Sequence, residues 1–479
     1  KMNESETGSF KKNSFLAVSE EEDEGQSRKS KSKMSLVAKR VTFQPRESEK
    51  LLASDLVLSE DDPNKKQMQK MNKKRFGFNV SLDRYKTSSL LKIICIIVAI
   101  IIIPLEIFLE SVLQSVENKL ILQVQETFPF PTEDGENHGW EVFWKIPIYL
   151  AMENVCCLYM CFLFLCTDSL IAFKSALLTC FGFYFITFLK LVYKDGRPFW
   201  LSAEVQGLLC EFDYGGPSYH LYVMCFFWVY NLIMYRMKYA YEVNKCVNSL
   251  CVVLISVLSA WIVLAGMYCG VSYIYQNIIG MLYGLIYLVL CLNFDKEIHK
   301  MCEKTGFIVQ TSRKYKFYLF FLCIGLFIFI MIYYNSNLKY WTMPQSWVVN
   351  VSLDQQQCRD ELIENSNDKL GLDATFFDSS ILFFLTGLGF GISFSLVYVD
   401  CLDWVHTKPH LRLIRALLGC GIAGGVYYGF QQIPAEDSPT KYFFHYVLPA
   451  LLVSFFIYGL YPILCLKIGL VSVSKEVKQ

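Results

Sequence analysis

Long apolar segments recur along most of the chain and are separated by short polar segments. Each is roughly twenty residues long, the length that a helix needs to cross the hydrocarbon core of a bilayer. The segments are approximately Leu90–Leu109, Ile146–Cys166, Leu170–Tyr193, Pro217–Tyr235, Val247–Tyr268, Tyr273–Phe294, Phe317–Tyr334, Phe376–Val399, Ala416–Phe430 and Phe443–Leu466. This pattern predicts an all-α, polytopic membrane protein with about ten transmembrane helices.

The same pattern divides the chain into regions. Residues 1–87 are polar and contain acidic, basic and Ser-rich runs, so they are interpreted as a disordered cytosolic tail. The basic cluster before the membrane suits anionic lipid headgroups, and equally suits a plain topology signal. Residues 88–294 are expected to form a first membrane region, 295–316 a cytosolic loop, and 317–479 an additional membrane region of four helices.

Charge decides the orientation of the chain rather than its partners. The net charge is only +1, which says little about partners. No nucleic-acid partner is expected for this multi-pass membrane protein. The segments Arg236–Lys245, Asp295–Lys316 and His406–Arg415 are basic, whereas Val116–Glu141 and Pro434–Thr440 are acidic. The positive-inside rule then places both termini in the cytosol. The endoplasmic reticulum and the plasma membrane both remain open as locations.

Four polar residues stand close together around the end of the third apolar segment and the start of the fourth. Lys190 and Arg197 carry donors suited to phosphate. Ser218 lies at the expected start of a helix, where free N–H groups favour an anion, and His220 can exchange a proton near neutral pH. A snorkelling Lys and Arg with a capping Ser would explain each motif alone. Their close succession favours a phosphate site facing the lumen or the exterior.

The cysteines are interpreted mainly as packing residues of the apolar segments, not as metal ligands. Most of the 18 cysteines lie in apolar segments and show no zinc-ligand spacing, so neither a metal nor another cofactor is expected. Cys210 and Cys358 are both predicted to fall outside the cytosol, where a disulfide is permitted.

Aromatic and glycine residues have structural interpretations. Four aromatic residues near the predicted outer interface are interpreted as anchors in an aromatic belt. These residues are Phe199, Trp200, Trp341 and Trp347. The glycine-rich sequences at Gly389 and Gly419 predict close helix packing in the eighth and ninth segments.

A third segment, AGMYCGVSYIYQNIIGMLYG from Ala265 to Gly284, completes a recognisable pattern. The order Lys, six residues, Arg-Pro, then Pro-Ser-x-His, then this Gly-Val turn and helix resembles the type 2 phosphatidate phosphatase (PAP2) superfamily. The resemblance covers about residues 146–294, most of the six-helix core of that fold. The layout of about ten spans is most similar to sphingosine-phosphate phosphatase and glucose-6-phosphatase-like members.

The resemblance implies roles for the first two motifs. In the family the Lys and Arg of the first motif hold the phosphate, and these positions are Lys190 and Arg197 here. The Ser of the second motif binds phosphate and its His protonates the leaving group, which implies these roles for Ser218 and His220. The Gly that usually lies between them is Tyr219 here, and a side chain at this position crowds the backbone.

The third motif departs from the family pattern. Its Arg binds phosphate, its His attacks phosphorus and its Asp orients that His, and these positions are Gly266, Ser272 and Gln276 here. The Ser272 hydroxyl is a weak nucleophile unless a base lies beside it, and His220 would point at the leaving group. By analogy with a catalytic triad, whose members act as a unit, we expect little turnover.

Three functions remain compatible with the sequence. The first is a catalytically degenerate PAP2-like membrane protein that binds a phosphorylated lipid or a related phosphate ester. The second is an active phosphatase for phosphatidate or sphingosine phosphate with Ser272 as an altered nucleophile. The third is an unrelated multi-pass transporter. Membrane lipids are the expected partners, and the oligomeric state stays open.

Overall fold

The computed structural model describes residues 97, 101, 112–128, 138–166, 169–238, 245–295, 297–298, 313–354, 371–399, 408–434 and 438–471. The secondary structure of these residues is helical, apart from two isolated β-bridges. The all-α fold class expected from the sequence is therefore confirmed. The predicted tail, residues 1–87, and most of the predicted loop 295–316 lie outside the described residues.

The helices fall into an earlier and a later group along the chain. The earlier group is α1 (112–127), α2 (His138–Leu150), α3 (Glu153–Cys166), α4 (Ser169–Tyr193), α5 (Pro198–Leu201), α6 (Tyr219–Val223), a π-helical turn (Met224–Trp228), α7 (Val229–Lys238), α8 (Lys245–Tyr268) and α9 (Ile274–Asn293). The later group is α10 (Arg313–Tyr340), α11 (Gln345–Asp354), α12 (Leu372–Phe377), a 3₁₀ turn (Asp378–Ser380), α13 (Ile381–Val399), α14 (Pro409–Gln431), α15 (Ser438–Lys441), a π-helical turn (Tyr442–Val447), α16 (Leu448–Phe455), a second π-helical turn (Phe456–Leu460) and α17 (Tyr461–Lys467).

Several helices are long and apolar enough to cross a membrane. Within the described residues there are 7 such helices, or 8 if α2 and α3, which meet at a bend of 58°, form one broken span. These agree with the predicted third and fifth to tenth segments, and the bent pair takes the place of the predicted second segment. The predicted first segment lies almost entirely outside the described residues.

The predicted fourth segment differs from the others. It forms the continuous helical run from α6 to α7, but this run is not among the seven apolar spans. Its first part, Tyr219 to Phe227, is buried throughout. A helix that other helices enclose needs no lipid-facing apolar surface, so it tolerates aromatic and polar residues that lower its hydropathy.

Close packing against α9 fixes the start of α6. A Cβ added to Gly280 would lie 2.2 Å from the carbonyl oxygen of Ser218, and one added to Gly284 would lie 2.7 Å from that of Tyr222. These two glycines are four residues apart and therefore lie on one face of α9. Their small size lets the two backbones approach, and this positions Ser218 and the residues after it.

Glycines also join the later helices to each other and to the earlier group. Gly391 of α13 contacts the backbone of Phe455 and Gly459, and a Cβ at Gly419 of α14 would lie 2.4 Å from Leu165 of α3. The predicted close packing is therefore confirmed at these two glycines. It is wrong for Gly421, Gly424 and Gly425, which have open space beside them.

The aromatic belt predicted near the outer interface is wrong for its first two members. Phe199 and Trp200 are both 0% exposed, so they belong to the protein core. The ring of Trp200 packs against Tyr214 and Trp347, and Trp341 packs against Tyr214. This aromatic cluster joins the loop after α5 to the later group of helices.

Candidate functional site

The chain segment after α4 brings the first two predicted phosphate ligands together. Lys190 lies in the last turn of α4, and Lys194 adopts a left-handed φ of 55° that redirects the chain. Arg197 precedes Pro198, the first residue of α5, and has the extended backbone that a residue before proline favours. Lys190 and Arg197 are each 2% exposed and both contact Asp213.

Ser218 and His220 lie at the start of α6. Ser218 occupies the N-cap position, but its side chain makes no capping hydrogen bond, so the alternative of a capping Ser is wrong. Its Oγ is buried and has no hydrogen-bond partner among the described residues. The backbone N–H of Ser218 donates to the carbonyl oxygen of Gln276 at 3.0 Å, which joins the second motif to the third segment.

Two loop carboxylates contact the basic side chains. We call Lys190, Arg197 and His220 the basic cluster, and Glu211 and Asp213 the carboxylate pair. Lys190 Nζ and Arg197 Nη2 form ion pairs with the carboxylate of Asp213. Arg197 Nη2 also lies 2.7 Å from Glu211, and His220 Nε2 lies 3.1 Å from the other oxygen of Glu211. The three members of the basic cluster therefore converge on the carboxylate pair.

The charges of the carboxylate pair follow from this arrangement. Burial opposes the ionisation of Asp213, but Arg197 and Lys190 outweigh it and lower the pKa of this carboxyl well below its usual value. Burial also opposes ionisation of Glu211, yet Arg197 and His220 leave its pKa lowered. A lowered pKa stabilises the fold above the ordinary carboxyl pKa, and this contribution is lost only as the pH falls below it. Both carboxylates are therefore charged near neutral pH.

The third-motif positions have structural partners. The Gln276 Nε2 donates to the Asp195 carboxylate at 2.6 Å and to the Gly196 carbonyl oxygen at 2.9 Å, while its Oε1 accepts from the Tyr273 N–H at 3.0 Å. The side chain of Gln276 thus caps α9 and holds the segment between Lys190 and Arg197.

Ser272 and Gly266 are in contact with each other. Ser272 Oγ accepts a hydrogen bond from Asn277 Nδ2 at 3.0 Å. A Cβ added to Gly266 would lie 2.4 Å from that same Oγ, so these two positions share one small space. Ser272 therefore has an amide donor beside it, and an amide cannot act as the base that a Ser nucleophile requires.

The three motifs now stand around one place in the fold, in the order read from the sequence. Residues 171–300 match the family model of the PAP2 superfamily. The match includes all seven motif positions, and it argues against an accidental occurrence of the motifs in an unrelated transporter. It begins after the predicted second segment, so it is shorter than the expected resemblance over 146–294. No curated protein and no solved structure matches the chain.

A cavity of about 440 Å³ lies between the later helices and the earlier group, which includes the matched residues 171–300. Its polar end includes Lys190, His220 and the carboxylate pair. Its apolar wall combines residues of α3, α13, α14 and α16. These include Leu158, Cys161, Phe384, Ala423 and Val453. Arg197 and Ser218 do not line the cavity, and they lie directly behind its polar end.

The position that is usually Gly in the second motif also faces this cavity. The ring of Tyr219 lies 5.3 Å from Lys190 Nζ and forms part of the cavity wall. Tyr219, which stands at the position of the family Gly, is 7% exposed, and its ring packs beside Lys190 of the basic cluster. It narrows the space in front of Lys190.

Sequence reasoning missed the acidic residues of the site. It gave no role to Glu211 and Asp213, and none to Glu153 or Asp378, which also line the cavity. The available signal was the pair of acidic residues between the two basic motifs, because buried cations need opposite charges. Among the described residues no group of His, Cys, Asp and Glu could hold a metal ion. Cys210 forms a disulfide. Cys358, which the charge pattern also places outside the cytosol, lies outside the described residues.

Proposed function

We propose that the protein is a catalytically degenerate PAP2-like membrane protein that binds a phosphorylated lipid or a related phosphate ester. The observation that carries this proposal is the convergence of the basic cluster on one anionic position, together with the buried Ser218 Oγ, which has no partner among the described residues. A buried hydroxyl without a partner is costly unless a ligand completes its hydrogen bond. A phosphate oxygen is a suitable acceptor for it.

The shape of the cavity supports a lipid rather than a small soluble ester. Its polar end is continuous with a wall of aliphatic and aromatic side chains contributed by both groups of helices. An acyl chain can cover this wall while the headgroup lies at the polar end. The additional helices then have a role in the proposal, since they supply much of the apolar surface.

The third motif supports binding without hydrolysis. The positions of the family's nucleophile, its orienting carboxylate and one phosphate-binding Arg are Ser272, Gln276 and Gly266. Their polar atoms are used in hydrogen bonds to Asn277, Asp195 and the start of α9. These bonds stabilise the fold and leave no described imidazole or carboxylate poised to activate Ser272. We therefore infer that a bound ester stays intact.

The orientation of the site follows from the charge pattern of the chain. With both termini cytosolic, the end of α4 and the start of α6 face the lumen or the exterior. We propose a location in the endoplasmic reticulum or the plasma membrane with membrane lipids as partners. Within the superfamily, we propose that the protein is related to the sphingosine-phosphate phosphatase or glucose-6-phosphatase-like members.

The first test is lipid binding by the purified protein, with phosphatidate and sphingosine phosphate as ligands. Ser218→Ala removes a hydroxyl that has no protein partner, so it should leave the fold intact and weaken binding about tenfold. Thr187→Val is the matched control, because Thr187 Oγ1 is also buried without a partner in the described structure and Thr187 belongs to none of the three motifs. Equal binding by the wild type and Ser218→Ala would contradict the proposal.

The second test is phosphate release from the same two lipids. We expect none from the wild type above the level of a heat-inactivated sample. Release that Ser272→Ala abolishes would show that the protein is an active phosphatase with an altered nucleophile. Restoring the family residues requires Gly266→Arg, Ser272→His and Gln276→Asp together, since catalytic residues that act as a unit are not restored singly. Turnover by this triple variant alone would support loss of chemistry on a retained scaffold.

A further inference from the structure

The donors of Arg197 are already occupied within the protein. Its Nε donates to the carbonyl oxygen of Asp213 at 2.7 Å, and its Nη1 donates to that of Val271 at 2.8 Å. Its Nη2 contacts both members of the carboxylate pair. Lys190 Nζ contacts Asp213. An incoming phosphate would therefore find the family's first-motif cations engaged by two protein carboxylates.

The loop that carries the carboxylate pair is held in place by the later group of helices. The Gly371 N–H donates to the Phe212 carbonyl oxygen at 2.8 Å, and the Tyr214 N–H donates to Thr375 Oγ1 at 3.0 Å. Asp213 lies between these two bonds and forms an isolated β-bridge with Gly371. Residues on both sides of Asp213 are thus tied to the start of α12.

We propose that Glu211 and Asp213 act as a built-in anion that determines whether this site accepts a phosphate group. They occupy the place of the phosphate on Lys190 and Arg197, and the hydrogen bonds to Gly371 and Thr375 keep them there. A phosphate headgroup binds only in exchange for these carboxylates. This inference rests on the proposed function and names the residues that regulate its ligand.

Electrostatics gives the reason for the exchange. A phosphate that entered while both carboxylates stayed would place three anionic groups around two cations in a buried site. Removal of one carboxylate leaves a cation uncompensated, and a phosphate can then neutralise it. Only molecules whose loop has released the cations can bind phosphate. The apparent affinity of the native protein is therefore the intrinsic affinity multiplied by the fraction of molecules in that released state.

The test measures the affinity of the full chain in detergent for inorganic phosphate and for dioctanoyl phosphatidate. Asp213→Asn and Glu211→Gln keep the side-chain volumes and remove one negative charge each. We expect each to raise affinity for both ligands by about tenfold or more, with the larger effect at Asp213, which contacts both Lys190 and Arg197. The control is Glu204→Gln, an exposed residue of the same loop, which should leave affinity unchanged.

A second variant tests the anchoring without altering any charge. Thr375→Val removes the acceptor of the Tyr214 N–H and keeps the side-chain shape. We expect it to loosen the loop and raise phosphate affinity by a few-fold. It also serves if Asp213→Asn fails to fold, because it leaves every ion pair in place. A gain for phosphatidate without a gain for inorganic phosphate would assign the effect to the acyl chain and overturn the inference.

The outcomes separate this inference from the proposed function. If the wild type binds phosphatidate as tightly as Asp213→Asn, Glu211→Gln and Thr375→Val do, the built-in anion is wrong and the proposed function stands. If neither the wild type nor any variant binds either ligand, phosphate binding itself is wrong and this inference falls with it. Affinity gained by the variants and not by Glu204→Gln supports both.

Discussion

The candidate site has two halves: the first and second motifs form one, and the third motif forms the other. Both halves are buried, yet they use their polar groups in opposite ways. Lys190 and Arg197 are each 2% exposed, as is Ser272, and Gln276 is 0% exposed. The first half directs its charges to one place where an anion sits. The second half directs its hydrogen bonds into the surrounding backbone and side chains. Under the proposed function, one half is arranged for a ligand and the other for the fold.

Under the proposed function, a position of the third motif has lost the chemistry that the family resemblance implies and keeps a structural role. Gln276 stands where the family has an orienting Asp, and it bonds the Asp195 carboxylate, the Gly196 carbonyl oxygen and the start of α9. A neutral amide can donate to Asp195, whereas an ionised carboxylate could not. The Gln therefore suits a site in which stability matters more than proton transfer.

The largest effect that would break this comparison is expected for Arg197→Ala. It removes the buried partner of two partly buried carboxylates and should cost about 3–5 kcal/mol in the free energy of unfolding. A large fall in the Tm of the purified protein measures it. The double variant Arg197→Ala with Asp213→Asn should recover part of the loss, because it removes one uncompensated charge. An unchanged Tm for the single variant would show that the first half carries no buried ion pair.

The packing that aligns the two halves gives the next largest effect. Gly280→Ala introduces a Cβ at 2.2 Å from the Ser218 carbonyl oxygen, so α9 and α6 must move apart. We expect a loss of about 1–3 kcal/mol, together with weaker lipid binding because Ser218 is displaced. Gly325→Ala is the matched control on α10, since a Cβ there meets nothing within 4 Å. Similar Tm values for these two variants would contradict the close approach.

The sequence predicted the helices well, and it singled out the residues of the first half of the site, whose phosphate-binding roles stay predictions. Hydrophobic length identifies spans such as α8 and α9 without knowledge of their partners. Motif spacing pointed to Lys190, Arg197, Ser218 and His220. The structure brings Lys190, Arg197 and His220 onto one carboxylate pair, and Ser218 lies at the start of the helix that carries His220. These are features that a short stretch of chain determines locally.

The remaining features depend on contacts between distant segments. The carboxylate pair is placed by hydrogen bonds to Gly371 and Thr375, which lie more than 150 residues further along the chain. The cavity requires α3 to pack beside α13 and α14. Hydrophobic periodicity along one helix cannot reveal which other helix covers it. The burial of Trp200 was mistaken for an interface position for the same reason.

A smaller effect tests whether the second half is structural. Gln276→Ala removes two donated hydrogen bonds and the cap of α9, and we expect a loss of about 1–2 kcal/mol in the free energy of unfolding. Gln276→Asp should cost more than Gln276→Ala, because it places a second carboxylate beside Asp195. Thermal unfolding of both variants measures the order. A Gln276→Asp variant as stable as the wild type would show that this position retains its family role.

The smallest effect is expected for Ser272→Ala, and it sharpens the comparison most directly. Ser272 Oγ accepts one hydrogen bond from Asn277 Nδ2, which also donates to the Tyr273 carbonyl oxygen at 3.0 Å. Asn277 therefore keeps a partner when the hydroxyl is removed, and the loss should stay below about 1 kcal/mol. Lipid binding and phosphate release should both equal those of the wild type, because the hydroxyl neither faces the carboxylate pair nor has a base beside it. Tm, lipid affinity and phosphate release should be measured on one preparation of the variant. A change in phosphate release alone would identify Ser272 as a nucleophile. The half of the site that we assign to the fold would then carry the chemistry.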